Sequence, residues 1–344
     1  MNVMRIERPG MFSTVQDLGR RGEQSYGVPV AGAMDATAHR IANALVGNDA
    51  SAATLEVTLT GPSVRFAQNT VVAMSGAHFH ASVQGQRVPM NRAIVIRAGH
   101  SLDIGQRTQG ARLYLAVRGG LDTPPVLGSR STYVRGGFGG HLGRALRAGD
   151  KVPLGPPGPM TRLERLMVQS GLPTTMAAEV DIGALARHWP CPAEGEATHA
   201  SRAAAPIRIL RGPQWRAFPV AMRRQFVTVP FVVSSQSDRM GYRLSGPQLV
   251  LSKPLEMISE AVNIGTIQVP PDGQPIILMA DRQTAGGYPK MAYVIAADVS
   301  RLAQALPGDV LRFHPITARQ AEAAYWEVED ELDRIVANAA LTLA

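Results

Sequence analysis

Short apolar stretches separated by turn residues dominate residues 3–154 of this chain. Stretches such as SVRFAQ, TVVAMSG, AIVIRAG and RLYLAVRGG are at least half apolar, and Gly, Pro, Asn or Asp residues lie between them. Short strand-like segments at regular spacing are typical of β-sandwiches and β-barrels. We therefore predict a mainly β domain over residues 1–154.

A helical pattern interrupts this region in the stretch DATAHRIANALVGND. Asp35 is placed to cap the first turn, and Gly47 is placed as the left-handed residue that ends the helix. The apolar positions of the stretch fall on one helical face: Ala38, Ile41, Ala42 and Leu45. The spacing predicts a short helix after Asp35.

Residues 155–206 have a different composition. The segment opens with GPPGPM and closes with HWPCPAEGEATHASRAAAP, which is rich in Ala, Pro and small polar residues. This composition predicts a linker that contains one short helix. A second strand-like region, residues 207–316, follows it.

The second region repeats landmarks of the first in the same order. LTGPSVRF is matched by LSGPQLVL, LAVRGGLDTP by LMADRQTAGGYP, and RAGDKVPL by LPGDVLRF. The ordered matches favour two related β domains. The alternative is three unrelated turn-to-strand transitions.

The last residues, 317–344, predict a helix. Thr317 and Gln320 have the spacing of a capping box. Apolar residues then recur every three or four positions, at Ala321, Tyr325, Val328, Leu332 and Ile335. We expect this stripe to pack on the second β domain.

Composition excludes several classes of protein. The chain has 344 residues and is 45% hydrophobic, which suits two globular domains. The net charge is +8, but the basic residues are scattered and aromatic residues make up 5%, so nucleic-acid binding is not expected. No apolar stretch is long enough for a membrane span, and the N-terminus lacks the pattern of a secretory signal. We therefore expect a cytoplasmic protein.

Common catalytic and metal motifs are absent from the chain. There is no G-x-x-x-x-G-K-[ST] phosphate loop, no zinc-spaced Cys/His set and no G-x-S-x-G elbow. We expect no metal site, and we interpret His78 and His80 as ordinary strand residues. Cys191, the single cysteine, lies in the predicted linker, so neither a disulfide nor a catalytic thiol is expected.

Three polar constellations are candidates for chemistry. The first is YGVPVAGAMD, where Asp35 is either a base or a helix cap. The second is SSQSDRMGYRLSG, which holds Asp238, Arg239, Tyr242 and Arg243. Arginine offers a planar fork of donors for a carboxylate, a phosphate or a developing oxyanion. The alternative is a solvated loop with a surface ion pair.

The third constellation is GTIQVPPDGQPIILMADRQTAGGYPKMA, residues 265–292. It surrounds a glycine bend with polar side chains that can bind an amide: Gln268, Gln274, Asp281, Gln283 and Thr284. The bend itself, Gly286, Gly287, Tyr288 and Pro289, can expose backbone N–H groups to an anion. A plain turn is the alternative.

Together these motifs, with GMFSTVQDLGRRG and LAVRGGLDTPPVLGSRST, resemble the biotin-dependent carboxyltransferase family. This family includes the C subunit of 5-oxoprolinase, allophanate hydrolase subunit 2 domains and KipA-like proteins. The resemblance covers most of residues 4–313. It implies two cyclophilin-like β-barrel domains. It also implies two partner proteins of the same complex, one KipI-like and one LamB/YcsF-like.

The resemblance implies the activity of the C subunit of a bacterial 5-oxoprolinase, which uses ATP to convert 5-oxo-L-proline to L-glutamate. The first alternative is a carboxyltransferase subunit that moves a carboxyl group from carboxybiotin to urea or a related amide or amidine. The second is a non-catalytic regulatory partner of a KipI-like kinase inhibitor.

We expect one cleft, lined by bends from both halves of the chain, to bind a planar N–C=O unit. Arg239 and the Gly286–Gly287 N–H groups would stabilise its oxygen, and Asp35 or Asp281 would accept a proton. The remaining candidates would contact the substrate: Gln268, Gln274, Gln283, Thr284, Tyr288, Pro289, Asp238, Tyr242 and Arg243.

Two positions depart from the family's pattern, in which Asn and Thr stand where this chain has Asp238 and Ala285. An added carboxylate beside Arg239 would change the charge of the site and with it the preferred substrate.

Overall fold

The computed structural model describes residues 2–170, 174–176 and 205–343. The chain forms two compact units. Unit 1 comprises Met1–Arg20, Ala31–Cys191 and Glu329–Ala344, and unit 2 comprises Arg21–Val30 and Pro192–Val328. The domain bounds given by the sequence pattern stay a proposal. Cys191 and residues 177–204 of the expected linker fall outside the described residues.

Unit 1 is built on one sheet, which has ten strands in the part of the chain that the structure describes. The strands are β1 Val3–Arg8, β2 Phe12–Gln16, β3 Thr54–Thr58, β4 Ser63–Phe66, β5 Thr70–Val83, β6 Gln86–Val88, β7 Ile94–Ile96, β8 Ser101–Val117, β9 Lys151–Pro153 and β10 Thr174–Met176. Their order is β10-β7-β5-β8-β4-β1-β9, with β6 beside β5, β3 beside β8, and β2 beside β3.

The long strands β5 and β8 organise this sheet. β8 pairs with β5 along one edge, and its other edge pairs with β4 near Ser101 and with β3 near Leu115. Three register shifts, between Gly76 and Ala81, bend the β5–β8 pair and curl the sheet into a half barrel. Side chains that alternate inward form one continuous apolar core, which includes Ile6, Leu55, Val72 and Leu113.

Helix α1, Ala36–Leu45, confirms the predicted helix of unit 1. The Asp35 carboxylate accepts a hydrogen bond from the Ala38 N–H over 2.9 Å, and Gly47 has a φ of 71° just beyond the last turn. The buried positions of α1 include Ala38, Ile41 and Leu45. The capping residue, the apolar face and the terminal glycine are therefore all used as the sequence indicates.

Part of the expected linker belongs to unit 1. Helix α2, Arg162–Ser170, provides the short helix predicted there, and the Thr161 and Glu164 side chains form a capping box at its start. Leu163 and Met167 of α2 are buried, and β10 pairs with β7. The Gly- and Pro-rich sequence around α2 gives no sign that α2 and β10 belong to the core of unit 1.

Unit 2 contains an eight-stranded sheet and a separate two-stranded one in the described residues. The strands are β11 Ile207–Arg211, β12 Phe231–Val233, β13 Gly241–Ser245, β14 Glu260–Ala261, β15 Thr266–Gln268, β16 Ile276–Leu278, β17 Ala285–Gly286, β18 Lys290–Val294, β19 Val310–Leu311 and β20 Phe313–Pro315. Helices α3, Val220–Thr228, and α4, Ala296–Ala303, accompany them.

The large sheet of unit 2 is a nearly closed barrel. Its order is β19-β12-β13-β16-β15-β18-β11-β20, so its two outer strands are joined in sequence by Arg312 alone. β14 and β17 pair with each other beside it. The predicted fold class, mainly β with two barrel-like sheets and few helices, is confirmed. The LSGPQLVL landmark differs from its match in unit 1, because residues 248–251 form no strand.

An aromatic cluster fills one end of the unit 2 core. The rings of Phe226 and Phe313 stack with centroids 4.7 Å apart, and Phe231 lies within 6.0 Å of both. Trp215 meets Phe226 edge-on at 6.2 Å. These contacts pack α3 against β12 and β20.

Helix α5, Ala318–Leu343, confirms the predicted C-terminal helix. The Gln320 carboxamide oxygen accepts from the Thr317 N–H, and the Thr317 hydroxyl accepts from the Gln320 N–H. Val328, Leu332 and Ile335 are buried as the stripe predicts, whereas Tyr325 is 41% exposed.

The expectation that the whole stripe packs on the second domain is wrong for its C-terminal part. Residues from Glu329 onward belong to unit 1, where Glu329 accepts two hydrogen bonds from the Arg40 guanidinium of α1, over 2.7 and 2.8 Å. An apolar stripe indicates that a helix packs against something, but it does not identify the partner surface, because most apolar surfaces would suit it equally.

Among the described residues, no helix has both the length and the apolar character needed to cross a bilayer.

Candidate active site

The bend at residues 281–290 begins with an ion pair. Arg239 donates from Nε and Nη2 to the two carboxylate oxygens of Asp281, each over 2.9 Å, and the two side chains are 10% and 7% exposed. The Asp281 N–H also donates to the Arg239 carbonyl over 2.8 Å. Both oxygens of Asp281 are therefore engaged by Arg239, and the pair is held rigidly at the end of the β13–β16 ladder.

A second guanidinium lies beside this pair. Arg282 is 8% exposed and donates to the carbonyls of Val262 and Met279, over 3.3 and 3.4 Å. Burial is the main cause that lowers the pKa of Arg282 to about 10; Arg21 lowers it further, whereas Asp281 raises it. Two cationic side chains, Arg239 and Arg282, thus lie near one carboxylate, which makes the start of the bend electropositive.

Gln268, at the end of β15, carries a buried donor. Its side chain is 1% exposed, and its Oε1 accepts from Gln283 Nε2 over 3.4 Å. Its Nε2 is buried and has no hydrogen-bond partner among the described residues. Gly286 allows this arrangement, because a Cβ there would lie 2.6 Å from Gln268 Nε2. A buried donor without a partner costs about 1–3 kcal/mol, so this carboxamide is suited to an external acceptor.

Lys290, directly opposite Gln268, is a site residue that sequence reasoning missed. Gln268 pairs with Lys290 across β15 and β18, where a register shift leaves Met291 unmatched. The Lys290 side chain is 3% exposed, and its Nζ donates to Glu260 Oε2 over 2.6 Å. Glu260 itself is 59% exposed. The signal in the sequence is a lysine inside the apolar stretch YPKMAYV.

Gln214 fixes the main chain of Lys290 and was also missed. Its Oε1 accepts from the Lys290 N–H over 2.9 Å, and its own N–H donates to the Lys290 carbonyl over 3.3 Å. Gln214 lies in a turn 76 residues earlier in the chain, so no local pattern links the two residues.

Gln274 and Arg243 lie at the other end of the β13–β16 ladder. Both ends of the Gln274 carboxamide are bonded to the main chain of Gly246, over 2.9 and 3.3 Å. Gly246 is seven residues beyond Arg239, and a strand advances about 3.3 Å per residue, so roughly 20 Å of ladder separates the two ends. The structure does not bring Gln274 and Arg243 together with Arg239.

The other candidates of the second constellation have structural contacts. Asp238 is exposed, and its Oδ1 accepts from the N–H groups of Met240 and Gly241 over 2.8 and 3.3 Å. Asp238 therefore stabilises the turn that carries Arg239. Tyr242 is buried in β13, where it is 2% exposed.

The rest of the bend lines the same region of unit 2. The Thr284 carbonyl accepts from the Val262 N–H over 3.1 Å, and the Pro289 carbonyl accepts from the Val269 N–H over 3.0 Å. Gly287 faces the Ser259 hydroxyl, and the Tyr288 side chain is 45% exposed. The bend is thus tied at both flanks, and its centre is accessible.

Asp35 lies in unit 1, in a buried network of its own. Besides capping α1, its N–H donates to the Tyr114 hydroxyl over 2.8 Å, and that hydroxyl donates to Glu56 Oε2 over 2.6 Å. Burial, with the charge of Glu56, raises the pKa of Tyr114 well above its usual value, so the phenol stays a neutral donor. The expected shared cleft, and with it Asp35 as a proton acceptor, stays a prediction.

Comparison with known proteins identifies the family. Residues 26–315 match the model of the carboxyltransferase domain, subdomains A and B. The chain belongs to this carboxyltransferase-domain family. It is 38% identical to the C subunit of 5-oxoprolinase from Escherichia coli, over 94% of this chain and 97% of that protein, and 35% identical to the C subunit of 5-oxoprolinase from Haemophilus influenzae, over 94% of each.

A solved structure has the same fold as this chain. The crystal structure of the K. lactis urea amidolyase superposes with a TM-score of 0.82 at 29% identity and covers 97% of this chain. The match covers 20% of that larger chain. The matched family domain spans residues 26–315. It therefore contains the bend at 281–290 together with Arg239, Gln268 and Lys290.

Proposed function

We propose that this chain is the C subunit of a 5-oxoprolinase, which works with a KipI-like partner protein and a LamB/YcsF-like partner protein to hydrolyse 5-oxo-L-proline to L-glutamate with ATP. Two relatives that carry the name of this 5-oxoprolinase component match over nearly their whole length, which supports this assignment. Since ATP is a cytoplasmic metabolite in bacteria, the proposal places the complex in the cytoplasm.

The observation that carries the proposal is the buried Gln268 carboxamide. Its oxygen is engaged by Gln283, which fixes the orientation of the group, and its nitrogen has no acceptor among the described residues. A lactam carbonyl oxygen supplies the missing acceptor. A preorganised donor of this kind commonly lowers the barrier of acyl transfer by about 3 kcal/mol.

The chemistry needs charge stabilisation more than a nucleophilic side chain. ATP held by the partner proteins would activate the lactam carbonyl. Water then adds to the carbonyl carbon and gives up a proton, the ring C–N bond breaks, and the nitrogen takes up a proton and leaves as the amine of glutamate. Negative charge develops on the carbonyl oxygen as water adds. In this proposal Gln268 donates to that oxygen, and Arg239 and Arg282 supply a positive field that strengthens the interaction. Because Arg239 holds both oxygens of Asp281, we assign this carboxylate a positioning role.

The starts of α1 and α3 do not fit an ATP phosphate chain. The sequence has no G-x-x-x-x-G-K-[ST] loop, and the carboxylate of Asp35 occupies the start of α1. The Pro219 ring removes a donor at the start of α3. We therefore assign nucleotide binding to the partner proteins.

Reconstitution of the three-protein complex tests the function. We expect glutamate formation from 5-oxo-L-proline that requires ATP and all three proteins. Gln268→Ala should lower kcat by about 100-fold, which corresponds to the loss of one oxyanion donor. Gln248→Ala is the matched control, since Gln248 is an exposed glutamine of the same unit and bonds to the Asp272 carbonyl. Full activity of Gln268→Ala would contradict the proposed role of Gln268 as the donor to the carbonyl oxygen.

The alternative proposal is a carboxyltransferase subunit that moves a carboxyl group from carboxybiotin to urea or a related amide. The close superposition on the K. lactis urea amidolyase favours it. Carboxylation of urea that requires carboxybiotin, without glutamate release from 5-oxo-L-proline, would select this alternative. Binding of the KipI-like protein with neither reaction would instead indicate a regulatory role.

A further inference from the structure

Hydrogen-bond donors outnumber acceptors where Gln268 faces Lys290. Gln268 and Lys290 pair across β15 and β18 at the bulge, so the two side chains start from neighbouring backbone positions. Gln268 Nε2 has no partner, and Lys290 Nζ, which carries three N–H donors, has one partner in the described part of the chain, the Glu260 carboxylate. A buried ammonium next to an unused amide donor is a site for an anion.

We propose that Lys290 binds the carboxylate of a substrate that combines an amide with an acid group, and that Glu260 occupies this position until the substrate arrives. The inference rests on the proposed function, because it assigns a substrate class to the same site. Gln268 then binds the amide oxygen, and Lys290 binds the acid group.

Glu260 is built to leave this position. Its side chain is 59% exposed, whereas that of Lys290 is 3% exposed. It belongs to the two-residue strand β14, whose one partner strand in the described residues is β17. Exposed residues precede it from Ser252 onward, apart from the half-buried Met257. Exchange of one carboxylate for another leaves the buried ammonium neutralised, so the displacement avoids the cost of an unpaired buried charge.

The site therefore discriminates by charge. 5-Oxo-L-proline carries a carboxylate beside its lactam and would gain a charge-assisted hydrogen bond from Lys290, whereas the neutral lactam 2-pyrrolidinone would not. A hydrogen bond to a charged group corresponds to about 10- to 100-fold in affinity. In the reconstituted complex, we expect the KM for 5-oxo-L-proline to lie below the inhibition constant of 2-pyrrolidinone by about that factor.

Two substitutions test the inference in opposite directions. Lys290→Met should raise the KM for 5-oxo-L-proline by about 10- to 100-fold and leave inhibition by 2-pyrrolidinone within about twofold. Glu260→Gln removes the competing carboxylate and should lower the KM for 5-oxo-L-proline by about two- to tenfold, again with little effect on 2-pyrrolidinone. Lys290→Arg, which keeps the charge, should retain part of the discrimination.

Matched controls separate this contact from a general effect of charge. Lys253→Met and Glu256→Gln remove the same charges from exposed positions in the segment before β14. Neither should change the ratio of the two constants by more than about twofold. An increase in the KM for 5-oxo-L-proline in Glu260→Gln, or an unchanged ratio in a folded Lys290→Met, would overturn the inference.

Calorimetric titration of the full chain distinguishes failure of this inference from failure of the proposed function. If the wild-type complex forms no glutamate, the proposed function fails. Tighter binding of 5-oxo-L-proline than of 2-pyrrolidinone to the chain, abolished by Lys290→Met, would still support the anion site. Equal binding of the two ligands, or none, would refute it.

Discussion

The chemical behaviour of a single residue in this protein depends on its burial as much as on its residue type. His39 illustrates this, because it is fully buried in unit 1. Its Nδ1 lies 2.9 Å from the Thr54 hydroxyl, and its Nε2 lies 3.0 Å from the Ala50 carbonyl. Burial is the main cause that lowers the pKa of His39 from 6.5 to about 4, so the folded state holds the ring neutral.

The pH dependence of stability should reveal this neutral histidine. Between pH 6.5 and pH 4 the unfolded chain binds a proton at His39 that the folded chain does not. The free energy of unfolding should therefore fall by about 3 kcal/mol as the pH decreases through this window, while the contribution is fully present above pH 6.5. Urea denaturation at several pH values measures this decrease.

His39→Gln should abolish that part of the decrease, although it also lowers stability at neutral pH. His80→Gln is the matched control, because it makes the same replacement at an exposed histidine of the same unit. The same pH dependence in His39→Gln as in the wild type would contradict the assignment.

Asp238 is the position where the sequence resemblance predicts a departure from the family's Asn, and its effect also belongs to the residue scale. Asn at position 238 keeps an oxygen that can accept from Met240 and Gly241, so Asp238→Asn should preserve the turn and the stability. The substitution removes one negative charge beside Arg239, and we expect altered substrate preference. Kinetics with 5-oxo-L-proline and related amides would measure it, and identical constants for all of them would count against a role for the charge.

At the scale of elements, short local patterns determine helices better than strands. The caps of α1 and α5 are identifiable from two or three residues each, because a cap acts on N–H groups within the same turn. The two-residue strands β14 and β17 have no such signal, because their pairing joins segments 25 residues apart. The start of α2 is hidden among glycines and prolines.

The two interpretations of Asp35 can be separated by paired substitutions. Asn can accept from the Ala38 N–H as Asp does, so Asp35→Asn should keep the stability within about 0.5 kcal/mol, whereas Asp35→Ala should cost about 1 kcal/mol. If Asp35 only caps α1, Asp35→Asn retains the activity of the complex. A large loss of kcat in a fully stable Asp35→Asn would instead establish Asp35 as a proton acceptor.

At the scale of the whole molecule, the C-terminal part of α5 belongs to unit 1 and has a buried face. Leu332, Ile335 and Ala339 are at most 2% exposed, and Arg40 binds Glu329 with two hydrogen bonds. The C-terminal part of α5 thus belongs to unit 1, where Glu329 binds a residue 289 positions earlier in the chain.

A pair of leucines on α5 tests this contribution. Leu332→Ala should lower the free energy of unfolding by about 2–4 kcal/mol, because it leaves a cavity in a packed interior. Leu341→Ala is the matched control, since Leu341 is 79% exposed and its truncation should cost less than about 0.5 kcal/mol. Equal effects of the two substitutions in urea denaturation would show that α5 is not packed as described.

The sequence by itself determined the β class, the positions of α1 and α5 and the family, because alternation, capping and motif order are properties of neighbouring residues. It also singled out Arg239, Gln268 and Gln283. Only the tertiary structure decided that Arg239 binds Asp281, that Gln274 lies at the far end of a ladder from that pair, and that Lys290 faces Gln268. The physical reason is that strand register, a bulge at Met291 and burial set which distant side chains meet, and none of these is encoded by a local pattern.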